Sequence, residues 1–105
     1  MRDFTVAWDH LGAIEHLEAR AFLGVTRAAR LDEELQRVVA RLAACPESGQ
    51  RIQIRPGVWS DVERKIPLSR SPYVLFYRLD IDAERVTILR LRHERARPLK
   101  FNRTR

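Results

Sequence analysis

The residues of this chain whose types and spacing could do chemistry crowd toward its C-terminus. Arg90, Arg92, His93, Arg95 and Arg97 follow closely on one another, and Lys100, Arg103 and Arg105 come after them against the single acid Glu94. A neutral imidazole takes up a proton near neutral pH, and guanidinium groups grip phosphate oxygens. His93 with Arg92 and Arg95 beside it is therefore a candidate base next to a bound phosphate. A lone histidine at a strand end is more often structural, and a basic run is most often solvated. The same residues thus also read as a contact surface or a tail.

Other chemistries lack their residues. There is no Gly-rich dinucleotide fingerprint, P-loop, zinc-ligand spacing or Ser-His-Asp order, so no cofactor or metal is expected. The single cysteine, Cys45, cannot form a bridge within the chain and, at the end of a helix, is expected to be a small buried apolar residue. His10 and His16 read as helix-surface residues. The formal charge of +6 and pI near 10.6 suit nucleic acid, an acidic protein partner or an arginine-rich proteome. With 105 residues, 45% hydrophobic and 32% charged, the chain is expected to be a single folded domain over 1–105 with a basic tail over 94–105. Met1 to Trp8 is no secretory leader and no run approaches membrane-span length, so a cytoplasmic protein is expected.

Hydrophobic periodicity indicates what must hold the basic end in place. Val62, Arg64, Ile66 and Leu68 alternate with Glu63, Lys65 and Pro67, the two-residue period of a strand with one buried face. After a turn over 69–72, Tyr73 to Leu79 is apolar on both alternations, as in an inner strand. A turn over 80–85 leads to the β-branched run Val86 to Leu91. These make a three-strand meander. Arg64 lies on the apolar alternation, so it either leaves the core at an edge or meets a buried carboxylate.

Upstream, Phe4 to Trp8 reads as a short strand with Phe4, Val6 and Trp8 on one side, and Asp9 as a helix N-cap. Leu11, Ile14, Leu17 or Glu18, and Ala21 follow at helical spacing in a first helix that Gly12 weakens. Gly24 breaks the pattern and Thr26 can cap a second helix. Its apolar stripe is Leu31, Leu35, Val38 or Val39, and Leu42, with Arg30, Asp32, Glu33, Glu34, Arg37 and Arg41 toward solvent. Pro46 and Gly49 stop it. Arg51 to Arg55 is a further strand closed by Pro56-Gly57, while Val58 to Asp61 is either its return arm or a loop. The expected fold class is α+β: an N-terminal strand and a two-helix antiparallel hairpin packed on an antiparallel-rich sheet.

This order of elements, together with the Leu42-Ala43-Ala44-Cys45-Pro46-Glu47-Ser48-Gly49 helix end and the Tyr73-Val74-Leu75-Phe76-Tyr77-Arg78 strand, resembles the RelE/ParE superfamily of toxins from type II toxin-antitoxin pairs. The resemblance covers nearly the whole chain. In RelE-like members it implies a ribosome-dependent messenger-RNA endonuclease whose sheet carries a cationic catalytic set. On that pattern Lys65 falls on a basic position, but Pro67, Val74, Glu94 and Lys100 stand where a lysine, two arginines and a tyrosine are expected. The nuclease alternative then rests on His93, Lys65, Arg92 and Arg95.

ParE-like members are the nearer match, since the Arg90 to Pro98 ending is similar to theirs. That resemblance implies inhibition of DNA gyrase by protein-protein contact, neutralised by a cognate antitoxin, within a homodimer or a toxin-antitoxin hetero-oligomer. An antitoxin segment is expected on an apolar trough of Pro67, Val74 and Phe76 edged by Lys65 and Arg78. Phe101 is the alternative filling for that trough. Arg90, Arg92, His93, Arg95 and Arg97 are expected to meet the target. A toxin fold that has lost toxicity and only binds is a further alternative.

Overall fold

In the computed structural model, residues 3–97 are described. Strand β1 (Thr5–Trp8) is followed by the long helix α1 (His10–Ala44), then by β2 (Gln50–Arg55), β3 (Val58–Pro67), β4 (Tyr73–Asp80) and β5 (Arg85–His93). The sheet order is β1-β5-β4-β3-β2, with β1 parallel to β5 and every other pair antiparallel. The expected three-strand meander thus has β2 as a fourth member, and Val58 to Asp61 is the return arm of its hairpin.

Helix α1 is two arms joined at Gly24, whose φ of 82° and ψ of 175° are non-helical. A left-handed φ of this kind is cheap only for glycine. Helical geometry resumes at Val25, so Thr26 lies inside the second arm rather than capping it. The arms run back to back: His16 on the first meets Asp32 on the second at 2.9 Å, and Arg20 pairs with the same carboxylate. Asp9 caps the start, its Oδ2 accepting from the Leu11 amide at 3.4 Å.

The second arm supplies the core. Leu31, Leu35, Val38 and Leu42 are buried against Ile66, Leu75, Tyr77, Val86, Ile88 and Leu91. Truncating a side chain as enclosed as Leu31 or Leu75 to alanine costs about 2–5 kcal/mol. On β4 it is Tyr73, Leu75, Tyr77 and Leu79 that face α1, so Val74, Phe76 and Arg78 face away.

The first arm has a different task, which corrects the expectation that Gly12 merely weakens it. After Trp8 the parallel pairing ends and the outer edge of β5 would be left unpaired. The helix seals it. A Cβ on Gly12 would lie 3.0 Å from the Ile88 carbonyl oxygen and 3.1 Å from that of Leu89, so any side chain there would crowd the strand and glycine eases the approach. One turn on, Glu15 Oε1 accepts from the Leu91 amide at 2.9 Å, standing in for a missing neighbour strand. The expected apolar stripe of this arm faces solvent instead: Leu17 is 66% exposed, and Leu11 and Ile14 are exposed with it.

Three further expectations change. Glu34, read as solvent-facing, is buried because it falls on the same helical stripe as Leu31 and Val38 and meets the β3–β4 loop. Cys45, read as buried, is exposed: it is the C-cap, its amide donates to the Arg41 carbonyl, and the chain turns away there. His16 is not a plain surface residue, since its ring stacks on Trp8 with centroids 5.2 Å apart and its Nε2 meets Asp32. Trp59 is half exposed.

Candidate functional site

Two surfaces carry the residues singled out in the sequence, and the pleat separates them. On the face turned away from α1, Lys65 pairs with Phe76, Pro67 with Val74, and Glu63 with Arg78 across β3 and β4. Directly opposed residues in an antiparallel pair share a face. The five residues of the expected trough, Lys65, Pro67, Val74, Phe76 and Arg78, are therefore brought to one side of the sheet. Val74 and Phe76 are half-buried, and Pro67 is exposed.

One edge of that surface differs from expectation. Glu63, assigned to the solvent alternation, is fully buried. The register of β3 with β4 is unbroken, so Glu63 stays on the face of Lys65 and Pro67, and the extra residues of β3 between Arg64 and Trp59 in its pairing with β2 bring Ser60 against it. Ser60 Oγ accepts from the Val62 and Glu63 amides at 3.2 and 2.9 Å and donates to Glu63 Oε1. Arg78 Nη2 donates to Glu63 Oε2 at 3.3 Å while its side chain stays 55% exposed. The cation at this edge is thus half counter-ion and half surface.

The basic end of β5 is not one cluster. Arg90 is committed to Glu15, donating from Nε at 3.0 Å and from Nη2 at 2.8 Å, which removes it from the exposed set. The hydrogen bonds to Glu15 raise its pKa, burial opposes them, and the carboxylate charge adds to the rise, so its charge is fixed. A bulge in β5 opposite Phe76 and Tyr77 turns Arg90 toward the helix at the sheet edge. Arg92 opposes Val74 and donates from Nη2 to the Arg97 carbonyl at 3.0 Å. Arg95 and Arg97 are exposed in the turn that follows. Residues from 98 onward, including Lys100 and Phe101, lie outside the described residues.

His93 goes the other way. It opposes Tyr73, a core-facing residue, and their rings meet edge to face with centroids 5.4 Å apart. Its Nδ1 accepts from the Arg95 amide at 3.1 Å, which leaves Nε2 to carry the proton in the neutral ring. Lys65 and His93 therefore stand on opposite faces, because Phe76 and Tyr73, their partners on β4, are an odd number of residues apart. The four residues of the nuclease alternative, His93, Lys65, Arg92 and Arg95, do not converge on a common point.

On the helix side, His93 and Tyr73 line a cleft of about 380 Å³ between the tip of the helical hairpin and the β3–β4 loop. Arg27 and Arg30 from the second arm, Arg70 from the loop and Phe22 from the first arm complete it. These four were not recognised in the sequence as members of a site. The spacing of Arg27 and Arg30 puts both on one side of the helix, but nothing local joins them to Arg70. Glu34 makes that connection: its Oε2 accepts from Ser69 N at 2.6 Å, Arg70 N at 2.9 Å and Ser69 Oγ at 3.1 Å, and its Oε1 from Ser71 Oγ at 3.0 Å. Burial pushes the Glu34 pKa up, but these hydrogen bonds more than reverse it, and the net direction is down. Among the described residues no group of His, Cys, Asp and Glu is arranged to hold a metal ion.

The fold is similar to that of two solved toxin-antitoxin structures. One is the chromosomal ParDE toxin-antitoxin system from P. aeruginosa, with TM-score 0.60 and 18% identity over 86% of this chain and 95% of that chain. The other is the RelBE2 toxin-antitoxin complex from Mycobacterium tuberculosis, with TM-score 0.59 and 20% identity over 89% of this chain and 93% of that chain. At such identities the likeness is one of fold. No curated protein matches the sequence. The family model for the ParE toxin of the type II toxin-antitoxin system, parDE, matches residues 10–98, and the chain belongs to that family.

Proposed function

We propose that this ParE-family toxin arrests growth by inhibiting DNA gyrase through protein contact, without chemistry of its own, and that a cognate antitoxin neutralises it in the cytoplasm. The observation that carries this reading is the separation of Lys65 from His93 by the thickness of the sheet, with Arg90 held by Glu15. A nuclease needs its base and its cations around one phosphate. The surface for the target is the exposed remainder of the basic end, Arg92, Arg95 and Arg97, with His93 beside them.

The antitoxin surface is the face turned away from α1. Its half-buried Val74 and Phe76, with Pro67 exposed and Lys65 and Arg78 alongside, suits an amphipathic acidic segment laid across β3 and β4. Both structural neighbours belong to toxin-antitoxin pairs, which favours such a partner. Purified toxin is expected to block supercoiling by gyrase while leaving ribosome-bound message uncut, and Phe76→Glu is expected to lose antitoxin binding while still arresting growth. Message cleavage abolished by His93→Ala sinks the gyrase reading. Expression without growth arrest, with the fold intact, points instead to a binding module.

A further inference from the structure

The cleft at the hairpin tip gathers three arginines, Arg27, Arg30 and Arg70. Some guanidiniums elsewhere are engaged, Arg20 by Asp32, Arg51 by Asp61, Arg64 by backbone carbonyls, Arg78 by Glu63 and Arg90 by Glu15, and others, such as Arg37, Arg55 and Arg85, lie exposed on separate parts of the surface. The side chains of Arg27, Arg30 and Arg70 make no hydrogen bond or ion pair to any described residue, although they line one cleft with His93. No acidic residue lines it. The nearby carboxylates are occupied, Glu34 by the loop amides and Glu15 by Arg90, while Glu18 lines the neighbouring recess on the far side of Phe22. Three guanidiniums thus open on one cleft that no acidic side chain among the described residues lines, an arrangement that favours an anion in it.

We infer that this cleft binds the phosphate backbone of a nucleic-acid strand, with Arg27, Arg30 and Arg70 as the phosphate grip. Three guanidiniums exceed what a single carboxylate, with two oxygens and one charge, can use; a phosphodiester and its neighbour along a strand use them fully. His93 adds a fourth donor, because Nδ1 is taken by the Arg95 amide and Nε2–H is left for a ligand. Phe22, 79% exposed at the rim, offers a flat apolar face of the kind on which a base stacks. The volume of about 380 Å³ accommodates a nucleotide unit rather than a bare ion. Glu34 acts as a positioning residue, since it pins the backbone of the loop that presents Arg70. The inference goes beyond the gyrase reading and does not rest on it: a chain that held DNA here and left gyrase untouched would keep the first and refuse the second.

The test uses the purified full chain and a short labelled DNA, as duplex and as single strand, titrated across salt concentrations. The variant R27A/R30A/R70A is expected to bind at least about tenfold more weakly, with the salt slope reduced by about 1 for each arginine removed. The charge-matched variant R37A/R55A/R85A, altered at exposed sites outside the cleft, is expected to change affinity less than about twofold. Inorganic phosphate is expected to move the His93 ring resonances in the wild type and not in R27A/R30A/R70A. Equal losses in the two triple variants would mean diffuse charge and overturn the site. So would an oligoglutamate peptide that binds more tightly than DNA while phosphate leaves His93 unmoved, because the cleft would then be built for an acidic protein segment. Both triple variants alter exposed side chains, and unchanged circular dichroism and Tm confirm that any loss reads binding rather than folding.

Discussion

Where α1 runs into β2, polar groups use one another up; at the other end of β4 they are left waiting. In the first region Tyr77 Oη donates to the Pro46 carbonyl at 2.7 Å and accepts from the Gly49 amide at 3.0 Å. Arg64 Nη1 donates to the Glu47 and Gly49 carbonyls at 3.3 and 2.9 Å, leaving its buried Nε without an acceptor. A Cβ on Gly49 would stand 2.6 Å from Tyr77 Oη, so even the side chain is dispensed with to close the contact. In the second region Glu34 is equally busy, yet Arg70, whose loop it pins, and Arg27 and Arg30 across the cleft have no side-chain partner among the described residues. The difference separates polar residues that hold the fold from polar residues that the fold holds out. Charge density alone does not: Arg64 and Arg70 are equally cationic, and only their surroundings distinguish them.

Four experiments press on that contrast. Glu34→Ala removes the buried acceptor for two loop amides and two hydroxyls, and is expected to cost about 2–3 kcal/mol in denaturant unfolding because four part-buried hydrogen bonds to one charged group are lost together. It should also weaken nucleic-acid binding by loosening Arg70, whereas a purely structural glutamate would leave binding untouched. Tyr77→Phe is expected to cost about 1–2 kcal/mol, for the loss of two hydrogen bonds at one hydroxyl, and to leave binding unchanged. If it weakens binding as well, the two regions are not independent.

Acid should act through a smaller pair of effects of the same sign. The His16 pKa is lowered by burial and, second, by Arg20, so the folded state resists its protonation. Its stabilising contribution is complete above the ordinary histidine value and is lost as pH falls through that value toward the folded one. The depressed Glu34 pKa gives a second loss at lower pH, as pH falls below the ordinary glutamate value and through the folded one. Tm measured against pH should therefore fall in two steps, with Glu34→Gln removing the lower step and leaving the upper. The smallest effects on stability belong to the cleft arginines themselves: Arg27→Ala, Arg30→Ala and Arg70→Ala singly should each stay within about 0.5 kcal/mol of wild type. A larger loss for any of them would place that side chain in the fold rather than at its service.

Much of the scaffold was legible along the chain because its causes are local. Strand period, the Asp9 cap, the break at Gly24 and the stop at Pro46 depend on residues within a turn or two of one another, and each element they announce is present. Glu34 was also within reach, since it shares the helical stripe of Leu31 and Val38, but its charge argued for solvent and only the loop amides of Ser69 and Arg70 reverse that argument. Gly12 was misread for the same reason: its value lies in the carbonyls of Ile88 and Leu89, far off in sequence.

The sequence by itself determined most of the strands and both helical arms, that Val62 to Leu68 buries one side, and that Lys65, Pro67, Val74, Phe76 and Arg78 alternate with the core positions. Those follow from spacing, and spacing survives without a partner. Only the tertiary structure decided that His93 faces the helices and Lys65 does not, that Arg90 belongs to Glu15, and that Arg27, Arg30 and Arg70 meet at one cleft. Strand register and helix docking bring together residues separated by tens of positions, and electrostatics depends on the distances they set rather than on order along the chain.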